Sequence, residues 1–186
     1  MSADLLPPSD HRLTTARLTL RAFRPADAAT LYATVEASRA HIARWLPWTP
    51  SHGSVDDSRV VIAHLNAQWT AGAFATYGLF AREDGALLGG LGLHLCEADV
   101  PSYEVGYWLA ALTEGHGYIT EAAGALVEYV FATLGARRIE IRCNALNTRS
   151  AAVALRLGFT QEGLLRNQMR AHDGSLRDTL IFARIQ

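Results

Sequence analysis

The sequence predicts a mixed α/β domain built on a partly antiparallel sheet, and three observations carry that expectation. Short alternating or apolar runs, bounded by turn residues, recur along the chain. Two of them, 74–84 and 85–97, meet at a Glu-Asp-Gly turn and so form a hairpin. A strand–helix–strand–helix unit then occupies 103–159. With 186 residues, 49% of them hydrophobic, the chain fits one domain whose core needs no staples.

The elements follow in order. Residues 16–23, ARLTLRAF, alternate as a strand. Pro25 and Asp27 open a helix over 24–46, with Leu31, Val35 and Ile42 as its apolar stripe. WLPWTPSHG (45–53) breaks the pattern. A Ser54 cap and acids in the first turn start a helix that closes at Gly72. The hairpin and a strand over 103–111 come next. A helix over 117–134 ends at Gly135, a strand covers 137–145, and Asn147 caps a helix that stops at Gly158. Two strands around His-Asp-Gly-Ser fill 160–185. The order is β-α-α-β-β-β-α-β-α-β-β, without internal repeats. Residues 1–11 lack the basic start and apolar run of a secretory signal and read as a mobile arm.

Composition narrows the function classes. A net charge of -1 leaves no polycationic face for nucleic acid, and no window is apolar enough for a membrane span. Cys96 and Cys143 read as free thiols in a cytoplasmic chain. All 17 basic residues are Arg, which excludes a P-loop lysine, a Schiff-base lysine and a Ser-Lys dyad. His116 lies within a glycine turn, whereas His41, His52, His64, His94 and His172 are scattered. No Cys/His spacing suits a metal, so none is expected.

The turn LTEGHGYITEAA (112–123) holds the first functional signal. It places Gly115 and Gly117 where a strand hands over to a helix. A helix N-terminus offers unpaired amides and a positive dipole end, so an anion is held there without a lysine. Glycines let the backbone approach that anion, and Thr120 adds a hydroxyl. The turn differs from a dinucleotide fingerprint, because position 120 is Thr and several strands precede it. Gly89, Gly90 and Gly92 lie within a strand as close-packing or ligand-approach positions.

Taken together, YEVGYWL, EGHGYITEA, NTRSAAVALRLGF and QEGLLR resemble the GNAT superfamily of acetyl-CoA-dependent N-acetyltransferases, in its RimJ/RimL branch. RLTLRAFRPADAATLY and the RWLPW loop (44–48) fit the same branch, so the resemblance spans about residues 12–186. It implies a mostly antiparallel, twisted GNAT sheet flanked by about four helices. It implies acetyl-CoA as cosubstrate and an amine acceptor, foremost the N-terminal α-amine of a protein such as a ribosomal protein. The diphosphate would lie on Gly115, His116, Gly117, Tyr118, Ile119 and Thr120. The pantetheine arm would pair with Trp108, Leu109 and Ala110 beside a splayed strand, with Asn147 bonding it and the Leu109 N–H polarising the thioester. Ser150 would serve the leaving thiolate, since the family's usual Tyr is replaced by Ala154. Glu114 and Ile119 depart from the motif, and Met169 stands where a RimL-type base would be.

The chemistry asks for a neutral amine, a polarised carbonyl and a stabilised thiolate. Glu104, on one face with Gly106 and Trp108, is the candidate base, or the orienter of a water, and touches the acceptor. Glu162 is a second candidate. Trp45 and Trp48 would wall the acceptor. Plainer roles stay open: Glu104 as an Arg partner, Asn147 as a helix cap, the tryptophans as a staple. A homodimer through a late strand edge is an expectation. Three rival readings are a small-amine acetyltransferase, an acyl-CoA-binding module without catalysis, and an unrelated nucleotide-binding protein.

Overall fold

The computed structural model describes residues 5–48, 53–171 and 174–186. Eight strands form one sheet: β1 (Leu13–Thr14), β2 (Leu18–Arg21), β3 (Phe74–Ala81), β4 (Leu87–Glu97), β5 (Ser102–Leu109), β6 (Arg138–Asn144), β7 (Thr160–Arg170) and β8 (Leu176–Ile185). Five helices accompany them: α1 (Ala28–Ala37), α2 (Arg39–Ala43), α3 (Val55–Thr70), α4 (Tyr118–Leu134) and α5 (Thr148–Arg156). The spatial order is β1-β2-β3-β4-β5-β6-β8-β7. Every neighbouring pair is antiparallel except β5 and β6, the two strands that α4 connects. The mixed, mostly antiparallel architecture matches expectation.

Burial explains the layers. α4 buries Ile119, Ala122, Ala123, Leu126, Val127, Val130 and Phe131, the spacing of one helical face. These pack with Leu91, Leu93, Tyr103, Val105, Ile139 and Ile141 of the sheet. A smaller cluster joins Leu31 and Val35 of α1 and Ile62 of α3 to Phe23, Phe80 and Leu87, with Trp48 and Trp108 at its margin. Val105 and Trp108 lie in opposite side-chain rows of β5, so α4 and α1 cover opposite faces.

Two expectations need correction. The helix read over 24–46 is interrupted at Ser38, whose φ of -111° and ψ of 5° separate α1 from α2. Ser38 is buried, and its hydroxyl accepts from the Ala111 N–H at 3.1 Å, a contact between chain-distant segments. The arm read as mobile over 1–11 is fixed across its described part, 5–11. Leu6 is buried, the Trp69 indole donates to the Pro7 carbonyl at 2.7 Å, and the Tyr103 hydroxyl donates to the Leu5 carbonyl at 2.7 Å. His11 lies 2.9 Å from the Tyr77 hydroxyl and stacks on Tyr129 at 4.2 Å. Buried Tyr and Trp polar atoms need partners, and this segment supplies them.

The glycines of β4 serve packing. A Cβ at Gly89 would sit 2.2 Å from the Trp108 carbonyl oxygen, and one at Gly90 would sit 2.6 Å from the Trp108 indole nitrogen. The Trp108 indole therefore fits against β4 only because Gly90 carries no side chain there.

Gly89→Ala should cost about 2 kcal/mol, because backbone rather than a flexible side chain must move. Gly163→Ala in β7, with nothing within 4 Å of its Cβ, should stay within about 0.5 kcal/mol of the parent. Denaturant unfolding of both variants checks the contrast.

Burial lowers the pKa of His11 below its ordinary 6.5, against a smaller upward pull from Asp10. The folded state then binds this proton less readily than the unfolded chain. Stability held above pH 6.5 should fall as pH drops through the window below it, and level off under the folded pKa. Melting temperature against pH should show that slope in the parent and a shallower one in His11→Gln.

Candidate active site

The glycine turn is built from the end of β5 downward. After Leu109, the Ala110 N–H returns to the Leu88 carbonyl at 2.8 Å, and a 3-10 turn (Ala111–Thr113) follows. Gly115 and Gly117 then take φ of +80° and +78°, the left-handed region that a side chain resists. Gly117 is the N-cap of α4 and brings no side chain to its first amides. Tyr118, Ile119 and Thr120 therefore open the 17-residue helix with N–H groups that lack intrahelical acceptors. An added Cβ at Gly115 would find nothing within 4 Å, so the approach is open.

Cations surround that approach. Arg17 donates to the His116 carbonyl at 2.9 Å and lies 4.6 Å over the Tyr118 ring. Arg156 reaches the Thr120 hydroxyl at 3.4 Å, and Arg149 pairs with Glu114. His116 is exposed and stacked on Tyr118. Glu121, an acid in the first turn, is engaged by Thr15 and by the Arg17 backbone and guanidinium. Burial raises its pKa, but these bonds prevail and hold it below the ordinary carboxylate value. Bare amides, open space and three arginines fit a diphosphate.

The second feature is a gap in the sheet. β5 and β6 pair only at Ser102↔Arg138, Tyr103↔Ile139 and Glu104↔Glu140. Beyond these, β5 stays on β4 as far as Leu109, and β6 stays on β8 as far as Asn144. The Ala110 N–H points to β4, so the Leu109 N–H, one residue earlier, points the other way, into the gap.

Side chains meet across the gap. The Tyr107 hydroxyl lies 3.0 Å from Ser150 Oγ and donates to the Ser150 carbonyl at 3.2 Å. The Asn147 side chain accepts from the Ser150 N–H at 3.1 Å and thereby caps α5. Burial drives the Tyr107 phenol far above its ordinary pKa, and the Ser150 bond offsets this only in part, so Tyr107 stays protonated. Burial pushes the Cys143 thiol on β6 above its ordinary pKa, and the neighbouring Ser150 hydroxyl offsets this in part. A tyrosine and a serine are thus hydrogen-bonded beside the parted strands.

The other face of β5 carries Glu104, Gly106 and Trp108. Glu104 lies 3.5 Å from Arg142, which binds Glu140 more closely at 2.8 Å. Gly106 is exposed, with nothing near its Cβ position, and forms an open floor. Trp108 meets Trp48 edge to face at 5.8 Å, while Trp45 pairs with the Arg44 guanidinium at 4.7 Å. One tryptophan of the loop therefore reaches this floor's wall and the other stacks with its neighbour.

The remaining candidates fall elsewhere. Glu162 is exposed on β7 and tied to Arg138 at 2.5 Å, beside the closed end of the strand pair. Ala154 is fully buried, and Met169 is 40% exposed on β7 opposite Arg177. His64 and His94 are exposed on α3 and β4, and His52 and His172 lie outside the described residues. Among the described residues no group of three His, Cys, Asp or Glu could hold a metal ion, and no helix is long and apolar enough to cross a membrane. Sequence reasoning missed Tyr107, Arg17, Arg149 and Arg156. For Tyr107 a signal existed: it continues the Tyr103–Val105 row toward the helix that bears Ser150.

Known proteins resemble this chain in sequence and in fold. A family model described as the acetyltransferase (GNAT) domain matches residues 17–160. The N-acetyltransferase p20 of Bacillus licheniformis, an uncharacterized protein, is 30% identical over 171 residues, covering 92% of this chain and 94% of that one. The ribosomal-protein-serine acetyltransferase of Escherichia coli (strain K12) is 29% identical over 155 residues, covering 83% and 85%. A solved RimL, the ribosomal L7/L12 alpha-N-protein acetyltransferase, superposes with a TM-score of 0.87 at 25% identity over 94% of this chain and 98% of that one. That RimL is in complex with coenzyme A, disulfide-linked to one of its cysteines. On the match across 17–160, the chain belongs to the GNAT family and is an N-acetyltransferase of that type.

Proposed function

We propose that this protein acetylates the N-terminal α-amine of a protein, a ribosomal protein foremost, by direct attack in a ternary complex with acetyl-CoA. The observation that carries the reading is the gap between β5 and β6, bridged by Tyr107 and Ser150 and reached from the open glycine turn. Acetyl-CoA would supply a thioester carbonyl open to amine attack and a thiolate leaving group.

The chain's own residues have distinct tasks. Amides of the turn and of Tyr118, Ile119 and Thr120, with Arg17, Arg149 and Arg156, hold the diphosphate. Gap-facing backbone near Leu109 receives the pantetheine arm, and the Leu109 N–H polarises the carbonyl. Asn147 fixes the first turn of α5 and so places Ser150. Ser150 passes its hydroxyl proton to the leaving sulfur and regains one from water, which also carries away the proton lost by the amine, while Tyr107 stays protonated and holds Ser150 through its carbonyl.

The base lies on the opposite face. Glu104 is three positions from Tyr107, about 10 Å along an extended strand, so it acts through water over Gly106. That indirect arrangement favours an α-amine. An α-amine with a pKa near 8 is roughly a tenth neutral at pH 7, whereas a lysine amine is neutral in less than about one part in a thousand. A weak, water-mediated base therefore suits the first acceptor. The names borne by the ribosomal-protein acetyltransferases above point the same way. Soluble residence in the cytoplasm is part of this reading.

Thiol release from acetyl-CoA, followed over a panel of acceptors, tests the assignment. Peptides with a free α-amine should exceed α-blocked, lysine-bearing peptides and spermine by at least about tenfold in kcat/KM. Turnover confined to polyamines or aminoglycosides would give the protein to the small-amine class. Tight coenzyme A binding without turnover on any acceptor would make it a binding module.

Ser150→Ala and Tyr107→Phe should each lower kcat by roughly 100-fold, with the calorimetric Kd for coenzyme A changed less than about threefold. The double variant should be little worse than either single one, as expected of residues acting as a unit. Unchanged kcat in Ser150→Ala removes this proton transfer.

A further inference from the structure

Glu114 departs from the family's turn motif, and its surroundings say what it does instead. One carboxylate oxygen lies 2.9 Å from Nε2 of His41 on α2, and the other pairs with Arg149 on α5. Glu114 itself is one residue from Gly115, where the diphosphate would approach. Its charge therefore does not face the anion unmet.

α2 has only five residues, too few to hold a helical form by itself. Beside the buried Ile42 and the Arg39–Glu36 pair, side-chain contacts with chain-distant segments pin it. Ser38, just before it, accepts from the Ala111 N–H at 3.1 Å; His41 meets Glu114; and Arg177 of β8 donates to the Trp45 and Arg44 carbonyls at 3.3 and 3.5 Å. The first two land on 111–114, the segment that leads into the glycine turn. The far end of α2 leads to Trp48, which meets Trp108 beside the open floor at Gly106. The cofactor turn and the acceptor wall are thus joined through one short helix.

Resting on the acetyl-CoA reading above, we propose that Glu114 is a positioning residue that transmits occupancy of the glycine turn to α2 and so orders the acceptor wall. A diphosphate on the turn fixes the backbone at 114–117 and draws on Arg149. Glu114, held at its base, then fixes His41. Coupling of this kind needs no large movement; a loosely held helix becomes a firmly held one.

Amide hydrogen exchange over 38–46, with and without saturating coenzyme A, tests the proposal without any acceptor. In the parent, coenzyme A should slow exchange there by at least about fivefold, a usual size for coupling between sites. In Glu114→Gln and in His41→Phe the slowing should vanish, while coenzyme A binds no more than about threefold more weakly by calorimetry. Arg177→Met should raise basal exchange yet keep the response to coenzyme A, which separates coupling from simple support. Slowing that persists in Glu114→Gln overturns the proposal, as does a parent that binds coenzyme A without any slowing. More than tenfold weaker binding in Glu114→Gln also overturns it, since Glu114 would then be a cofactor ligand. A parent that binds no coenzyme A removes the transferase reading, and this coupling with it. Should Glu114→Gln fail to fold, His41→Phe decides alone.

Discussion

β5 leaves β6 after Glu104, while each strand keeps its partner on the other side. β5 pairs with β4 from Ser102 to Leu109, and β6 pairs with β8 along its whole length, while their shared ladder has three positions. A sheet ordinarily satisfies both edges of an interior strand, and leaving backbone groups without partners costs stability. Here that cost is localised. The closed end is held by Arg138, which binds Glu140 and Glu162, and by Arg142, which binds Glu140 and reaches Glu104. At the open end, Tyr107 of β5 reaches Ser150 of α5 instead of a residue of β6. An elongated ligand with amides of its own is the natural complement of such an edge.

The charge scheme follows from the absence of lysine. Point charges on flexible stems would leave the glycine turn loosely defined. Arginines act as braces as well as cations, because each guanidinium has several donors in a plane. Arg17 binds Glu121 and the His116 carbonyl while covering Tyr118. Arg177 performs a similar task at the C-terminal end of α2, where carbonyls lack helical partners. The same residue type therefore fixes the turn's frame and leaves positive charge around its mouth.

Much of this was legible in the sequence. Gly135 and Gly158 stop α4 and α5 in the left-handed conformation, and Ser54 and Asn147 cap α3 and α5, because these local rules act within a few residues. The glycine turn is local too. What was illegible depends on distant partners. Ser38 breaks a helix in concert with Ala111, and residues 5–11 are fixed by Trp69, Tyr77 and Tyr103. Glu114 draws its partners from positions 41 and 149. Tyr107 shares a row with Tyr103 and Val105, and period-two alternation assigns that face but does not reveal that the neighbouring strand has departed.

Under the proposed reading, the parted sheet also accommodates one departure from the family's usual pattern. Ala154 stands in α5 where the family's usual tyrosine would be, fully buried against the core. The hydroxyl missing there is present on the facing strand, where Tyr107 reaches Ser150. Burial keeps that phenol protonated, so it holds Ser150 by a hydrogen bond. On the opposite face Glu104 stands above open space at Gly106 and shares Arg142 with Glu140, rather than holding a close ion pair of its own. Under the proposed reading, proton donor and proton acceptor are therefore separated by the plane of the sheet. The reacting carbonyl lies in the gap between them, the amine enters from one face, and the sulfur leaves toward the other. Had β5 and β6 stayed paired, these two faces would be sealed from each other, and neither group could act on a common atom.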